Sequence, residues 1–182
     1  MGKGNKAPEA SSEAVRKSMQ GNKRRDTKPE LVVRRMLREM GYPGYRLDWK
    51  KAPGHPDIAY PGRKTAVFVM GCFWHAHEGC KYASRPGTHS DYWDEKFRRN
   101  KERDARNRAA LVADGWTVIV VWECRLKRDR VQATMRQVVD IVNSCPSGRA
   151  GRRAQGEGRV VEAGVGGWQL RVWRERVSRV RR

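Results

Sequence analysis

Cysteine and histidine residues are crowded into one short stretch, residues 71–80, which reads GCFWHAHEGC. Within it Cys72, His77 and Cys80 offer two thiolates and an imidazole, and Cys124 follows at the end of a later apolar run. Three thiolates and one imidazole form a tetrahedral ligand set for structural zinc. Redox cysteines and buried free thiols are the alternatives. An intracellular chain rarely keeps disulfides, and the close spacing of Cys and His favours a metal.

His75 is left over inside this stretch, directly after two large aromatic residues, Phe73 and Trp74. A short loop between metal ligands can hardly bury both rings. Exposed aromatic side chains beside basic residues stack on bases or insert between them. The alternative is that both rings pack beneath the loop as core.

Carboxylates suited to magnesium stand before and after this stretch. Asp57 follows His-Pro at the start of a short extended segment, and a carboxylate at a strand end beside the backbone carbonyls of a second strand supplies the hard oxygen ligands that magnesium takes. The alternative is an aspartate that forms a turn after proline. Glu30 and Asp104 are further candidates.

The segment over residues 91–113 predicts a charged helix with one unusual stripe. Trp93, Phe97, Asn100 and Asp104 recur on one face at helical spacing. An apolar stripe that becomes polar indicates that the side chains of Asn100 and Asp104 face a functional site. The alternative for Asp104 is that it lies on the solvent-exposed face of a charged helix.

Periodicity and breakers predict the elements that position these residues. The capping-box pattern Thr27-Lys28-Pro29-Glu30 opens a first helix, which Gly41 stops. We then predict extended segments at 45–49, 56–60 and 65–70, a loop over 71–90, a helix over 91–113, a buried strand at 117–122 and a helix over 130–142. This order predicts an α/β fold, a mixed sheet flanked by helices with the 117–122 strand central.

Length and charge narrow the class of protein. The chain has 182 residues, with 40 Lys and Arg against 20 Asp and Glu, and its net charge of +20 favours a nucleic-acid partner. No apolar run approaches the roughly 18 residues of a membrane span, and the N-terminal residues lack the apolar region of a secretory signal. We therefore expect neither a membrane protein nor a secreted one.

The domain organisation follows from composition. We predict a flexible N-terminal arm over residues 1–14, one folded domain over 15–146 and a basic Gly/Arg-rich extension over 147–182. The extension contains ten arginines and three glutamates. It reads as a linker and a short basic element outside the core, which either follows DNA phosphates or is simply mobile.

Four segments together carry a family resemblance that covers roughly residues 15–128. In order they read PGHPDIAY, VFVMGCFWHAHEGCKY, YWDEKFRRNKERD and GWTVIVVWECRL. They closely resemble the very short patch repair (Vsr-type) DNA mismatch endonucleases. The resemblance implies a restriction-endonuclease-like fold, a structural zinc ion and one or two catalytic magnesium ions. It also implies a nick 5′ to the T of T:G mismatches in double-stranded DNA.

The same resemblance implies a cellular setting. T:G mismatches arise when 5-methylcytosine deaminates, so the partner system is a cytosine-5 DNA methylase. We expect a monomer in the bacterial cytoplasm, associated with the nucleoid.

The family motifs also assign roles residue by residue. Asp57 matches the central magnesium ligand, and Val69 falls where a backbone carbonyl completes that metal site. His75 matches the catalytic histidine, Asp104 the acid that orients it, and Glu30 the helical glutamate that reaches the water network around the metal.

The remaining matches concern zinc and DNA insertion. Cys72, His77, Cys80 and Cys124 match the zinc ligands, and the side chains that match the inserting wedge are Met19, Phe73, Trp74 and, less closely, Trp93. Met70 stands where some members carry a second active-site histidine.

Two other functions remain open at this stage. One is a nuclease of the same fold with a different lesion or sequence specificity. The other is a zinc-stapled DNA-binding protein that does not cut, although such a protein needs none of the four residues Glu30, Asp57, His75 and Asp104.

Overall fold

The computed structural model describes residues 23–147 and 158–164 and, before them, Glu13, Arg16 and Lys17. Apart from Glu13, the predicted N-terminal arm lies outside the described residues, and so does Met19.

A five-stranded mixed sheet forms the centre of the fold, with its strands in chain order across the sheet. The strands are β1 (Arg46–Leu47), β2 (Ile58–Tyr60), β3 (Thr65–Met70), β4 (Thr117–Trp122) and β5 (Arg159–Ala163). The first three pair antiparallel, whereas β4 runs parallel to β3 and β5 runs parallel to β4. The predicted extended segments are all present, although β1 and β2 are shorter than the sequence indicated.

Within residues 23–147, three α-helices cover the two faces of the sheet. They are α1 (Lys28–Glu39), α2 (Ser90–Ala113) and α3 (Val131–Ser144). Side chains alternate between the faces along each strand. Val67 and Ile119 therefore pack with α1 and α3, while Ala66, Val118 and Val120 pack on the other face beneath α2. The result is the predicted α/β fold, a mixed sheet flanked by helices.

The fifth strand is the main departure from the sequence prediction. Residues 159–163 lie in the C-terminal extension, which was expected outside the core, yet they pair along β4 from Thr117 to Val121. Gly158 makes this approach possible, because a Cβ there would lie 2.2 Å from the carbonyl oxygen of Val112. With β5 in place, β4 is a central strand and has no free edge.

Helix α1 begins and ends close to the predicted limits. Gly41, at φ +87°, follows its last turn as the sequence indicated. On this helix Leu31 is half exposed, whereas Val33 and Arg34 face inward. No helix within the described ranges is both long enough and apolar enough to cross a bilayer.

Candidate active site and metal centre

Asp57 lies immediately before β2 and reaches across to β3. Its Oδ2 accepts a hydrogen bond of 2.7 Å from the backbone N–H of Val69. In an extended strand the N–H and C=O of one residue point to the same side. The Val69 carbonyl therefore faces the strand edge where Asp57 lies, so the two residues could supply oxygen ligands from neighbouring strands.

The surroundings of Asp57 disfavour its charged form in the metal-free protein. Burial raises its pKa from 3.8 to about 6, and the negative charge of Glu30 acts in the same direction. The Val69 hydrogen bond and the nearby side chains of Arg34 and His75 oppose this rise only in part. A buried carboxyl with this environment is a group that a bound cation would keep ionised.

Glu30 is almost fully buried, at 4% exposed, and is held by three donors. Its Oε1 accepts from the Thr27 hydroxyl at 2.8 Å, and its Oε2 accepts from the Asp26 N–H at 3.0 Å and from Arg34 Nη2 at 2.7 Å. The predicted capping box is therefore not formed, because the Thr27 hydroxyl donates to the carboxylate and makes no cap hydrogen bond to the helix backbone. Glu30 belongs to a buried polar cluster beside the active site.

Arg34 is the residue of this cluster that the sequence analysis missed. It is 7% exposed, and its Nη1 bonds to Asp26 while its Nη2 bonds to Glu30. The one available signal was the Glu30 to Arg34 spacing of four residues, which pairs opposite charges along a helix. That spacing is common on exposed helix faces and does not indicate burial.

The charges of this cluster test whether a divalent cation fits. The buried carboxylates of Glu30 and Asp57 lie near one buried guanidinium, that of Arg34, so these three groups have a net charge of −1 when ionised. Asp26 is half exposed and pairs with both Arg34 and Arg25. Carboxylate and backbone carbonyl oxygens are the ligands that magnesium prefers. The residues present therefore fit a hard divalent cation.

His75 and Asp104 form a tight pair between the 71–80 loop and α2. The distance between His75 Nδ1 and Asp104 Oδ2 is 2.5 Å, and Arg103 donates to the other carboxylate oxygen of Asp104. Burial opposes ionisation of Asp104, but the hydrogen bonds from His75 and Arg103 outweigh it and lower its pKa. Because Nδ1 is engaged, Nε2 is the nitrogen left to exchange a proton with a substrate or water.

The aromatic residues beside His75 pack on the first turns of α2. Phe73 and Trp74 are both half-buried, with ring centroids 5.1 Å apart, and the Phe73 ring lies 5.3 Å from that of Trp93 and 5.4 Å from that of Phe97. Asn100 Nδ2 donates to the Trp74 carbonyl at 2.9 Å. The stripe on α2 therefore faces this loop, as its spacing predicted.

The degree of burial separates the predicted wedge residues. Trp93 is 9% exposed and its ring packs against that of Phe73, whereas Phe73 and Trp74 are only half-buried. Met70, at the position where some relatives were expected to carry a histidine, is 4% exposed and packs in the core beneath α2.

The four predicted metal ligands come together. The ligand atoms of Cys72, His77, Cys80 and Cys124 all lie within 4.8 Å of one another, and His77 Nδ1 is 3.5 Å from Cys72 Sγ and 3.6 Å from Cys124 Sγ. The indole of Trp122 stacks on the His77 ring at 3.9 Å. The 71–80 loop supplies three of these residues, and the 3-10 turn after β4 supplies Cys124.

The pKa values of Cys72 and His77 are consistent with a metal site. Burial and hydrogen bonds with the neighbouring thiols raise the pKa of Cys72 to about 12. Burial lowers the pKa of His77 and so favours the neutral imidazole that binds metals. Clustered thiols that resist ionisation alone become thiolates when a metal ion binds between them.

Comparisons with known proteins agree with this arrangement. The family model described as DNA mismatch endonuclease Vsr matches residues 10–81. The type II nicking enzyme V.XorIIP of Xanthomonas oryzae pv. oryzae is 44% identical over 131 residues, which are 71% of this chain and 95% of that relative. The type II nicking enzyme V.NmeAIP of Neisseria meningitidis is 42% identical over 123 residues, which are 65% of this chain and 86% of that relative. The DNA mismatch endonuclease Vsr of Escherichia coli K12 is 36% identical over 111 residues, which are 61% of this chain and 70% of that relative.

The match with the Xanthomonas relative spans nearly all of that protein at high identity. The family model covers the part of this chain that supplies Glu30, Asp57, His75 and three members of the Cys/His cluster. The chain therefore belongs to the Vsr family of DNA mismatch endonucleases.

Proposed function

We propose that this endonuclease nicks double-stranded DNA 5′ to the T of a T:G mismatch, in a magnesium-dependent hydrolysis that begins very short patch repair. Membership of the Vsr family makes the chain a DNA-cleaving hydrolase with a restriction-endonuclease-like fold. The observation that carries the proposal is the 2.5 Å contact between His75 and Asp104 beside the buried carboxyl of Asp57. This arrangement combines a proton acceptor with a cation site, which phosphodiester hydrolysis requires.

His75 is the general base in this mechanism. Asp104 holds Nδ1, so the imidazole presents Nε2 to the attacking water and takes a proton as the water approaches phosphorus. The carboxylate then stabilises the imidazolium that forms. Arg103 keeps one oxygen of Asp104 occupied, which leaves the other aimed at His75.

In this proposal Asp57 and the Val69 carbonyl would hold the magnesium, with Glu30 beside them. A bound magnesium ion would supply positive charge that neutralises the transition state and the leaving 3′-oxygen. Glu30 accepts three hydrogen bonds, and an ionised carboxylate has about four acceptor positions. One acceptor position of Glu30 would therefore be left for a water molecule of the site.

In this proposal the Cys/His cluster would hold a structural zinc ion. Three thiolates and one imidazole are a ligand set typical of closed structural zinc sites. Cys72, His77, Cys80 and Cys124 would thereby join the loop that carries Phe73, Trp74 and His75 to the turn after β4.

Recognition rests on aromatic insertion. Phe73 and Trp74 insert at the mismatch, Trp93 supports them, and Met19 joins them from the part of the chain outside the described residues. Unstacking costs less at a mismatch than at a paired step, which gives selectivity. His75 directly follows the wedge, so insertion and cleavage are coupled.

The proposal also covers DNA binding, the domain limits and the cellular location of the enzyme. A net charge of +20 suits binding to DNA phosphates. We place the endonuclease domain at residues 15–146 together with β5, which the basic extension contributes to the sheet, and the N-terminal arm precedes this domain. The enzyme acts as a monomer in the bacterial cytoplasm, beside a cytosine-5 methylase whose product deaminates to thymine.

A nicking assay on three duplexes tests the proposal. The duplexes are identical except for one T:G, T:A or C:G pair, and each strand is labelled separately in buffer with or without magnesium. We expect one nick, in the T strand of the T:G duplex, only with magnesium. His75→Asn should remove the nick, whereas the matched change His89→Asn, at an exposed position, should not.

The same assay separates the other functions. Equal cutting of the matched duplexes would indicate a nickase that reads sequence alone, a possibility that the type II nicking enzymes among its relatives raise. Binding of all three duplexes without any cut would indicate a non-cutting DNA-binding protein.

A further inference from the structure

A buried arginine stands behind the proposed magnesium site. Arg34 is 7% exposed, and its two terminal nitrogens bond to Asp26 and Glu30. Its Nε is buried and has no hydrogen-bond partner among the described residues. Burying a charge with one unsatisfied donor is unfavourable, so the residue calls for an explanation beyond packing.

We propose that Arg34 is a positioning residue for the cleavage reaction, which fixes the orientation of the Glu30 carboxylate beside the residues that would hold the magnesium. The proposal rests on the magnesium chemistry proposed above. The planar guanidinium presents two parallel donors at a fixed spacing. It uses them to connect the loop before α1, through Asp26, to the first turn of α1, through Glu30.

The network leaves Glu30 little freedom. The donors on its two oxygens come from Thr27, the Asp26 backbone and Arg34, and two of these three also belong to the loop that Arg34 holds through the Asp26 carboxylate. Loss of Arg34 therefore removes one donor directly and loosens the segment that carries the other two. A lysine cannot replace it, because one ammonium cannot bridge both carboxylates with the same planar geometry.

Removal of Arg34 should have opposite effects on cation binding, depending on whether Arg34 positions Glu30 or acts only through its charge. Arg34 is positive and lies close enough to act on the charge of Asp57. By Coulomb's law, its removal alone should make the site more attractive to a divalent cation. If Arg34 instead positions Glu30, its removal should weaken cation binding.

The test measures metal binding directly, without DNA or cleavage. Mn²⁺ replaces Mg²⁺, and free Mn²⁺ is followed by electron paramagnetic resonance at pH 8 in protein with its native Cys/His site. We expect Arg34→Met to raise the Kd for Mn²⁺ by about 10-fold or more, as loss of residues that orient metal ligands does. Arg35→Met is the matched control, since Arg35 is the exposed neighbour on the same helix and, among the described residues, pairs only with Glu39. It should leave the Kd unchanged.

A double-mutant cycle tests whether Arg34 affects Mn²⁺ binding through Glu30. If Arg34 acts through Glu30, then Arg34→Met should change the Kd by less than about 2-fold once Glu30→Gln is present. If Arg34→Met does not fold, the measurement is made on Arg34→Lys instead. This variant should also weaken Mn²⁺ binding. The same variants should need proportionally more magnesium for half-maximal nicking, with the maximal rate largely restored at high magnesium.

The results that would contradict the role of Arg34 differ from those that would contradict the proposed magnesium chemistry. Unchanged or tighter Mn²⁺ binding in Arg34→Met and Arg34→Lys, with wild-type binding intact, would overturn the role of Arg34 alone. If Arg34→Met changed the Kd for Mn²⁺ equally with and without Glu30→Gln, Arg34 would not act through Glu30. A wild-type protein that binds no Mn²⁺ and nicks nothing would overturn the proposed magnesium chemistry, and the role of Arg34 with it.

Discussion

Replacing Asp57 with asparagine should stabilise the metal-free protein while it removes cleavage. In the folded chain the pKa of Asp57 is about 6, compared with 3.8 for an unperturbed aspartate. Because the folded pKa is the higher one, the fold favours the protonated form. The stability that this preference contributes is complete below about pH 4 and is lost as the pH rises through 6.

The magnitude follows from the two pKa values. At pH 8 the ionised Asp57 lowers the free energy of unfolding by about 3 kcal/mol relative to a neutral group, and at pH 5 by about 1.6 kcal/mol. Asparagine is neutral, has nearly the same shape and can accept the Val69 hydrogen bond. Its buried NH₂ group lacks an assured partner, which costs about 1 kcal/mol. We therefore expect a net gain of about 2 kcal/mol at pH 8 and about 0.5 kcal/mol at pH 5.

Thermal unfolding without magnesium measures this gain. For a chain of this size, the melting temperature of Asp57→Asn should exceed that of the wild type by about 4–8 °C at pH 8, and by much less at pH 5. Asp140→Asn, the same change on the exposed face of α3, should shift it by less than about 1 °C. Added magnesium should stabilise the wild type and not Asp57→Asn, because the variant lacks the proposed magnesium ligand.

A loss of stability at pH 8 in Asp57→Asn would refute the reasoning. A gain of equal size at both pH values would refute it as well, since it would show that the effect does not come from the charge of Asp57.

Three further predictions concern the metal centre, the fifth strand and the wedge. Cys124→Ser should give unfolded or insoluble protein, because structural zinc contributes about 10–16 kcal/mol in small zinc peptides; metal analysis that finds no zinc in folded wild-type protein would contradict this. Gly158→Ala should lower the melting temperature by about 4–10 °C, because its Cβ would meet the Val112 carbonyl. Gly62→Ala, where a Cβ meets nothing within 4 Å, should not lower it, and equal melting temperatures would disprove the docking of β5. Trp74→Ala should reduce the preference for T:G over matched duplex in fluorescence anisotropy at a stability loss of only about 1–2 kcal/mol; unchanged preference with a collapsed melting temperature would make Trp74 a core residue.

The metal-binding chemistry could be predicted from the sequence because it is nearly local. Cys72, His77 and Cys80 lie within nine residues, so almost any compact loop brings them close together. The distant ligand Cys124 was found because it ends an apolar strand with a recognisable motif. The stripe on α2 was also predictable, because helical periodicity alone decides which residues share a face.

The fifth strand could not be predicted in the same way. Residues 159–163 are short and follow a Gly-rich, basic segment, and five residues carry too little periodicity to indicate a strand. The indirect signal was in β4, whose residues from Val118 to Trp122 are all buried. A strand apolar on both faces is expected inside a sheet, so it required a second neighbour that the sequence analysis did not name.

The role of Arg34 was decided only by tertiary structure. The residue type is usually solvated, and its sequence neighbours give no reason to bury it. Its environment depends on the loop before α1 and on the approach of Asp57 from β2, which are set by how α1 packs on the sheet. The sequence by itself thus determined which chemical groups the protein has. The packing of α1, β2 and β3 decided which carboxylates lie together, and therefore which one needs a buried positive charge beside it.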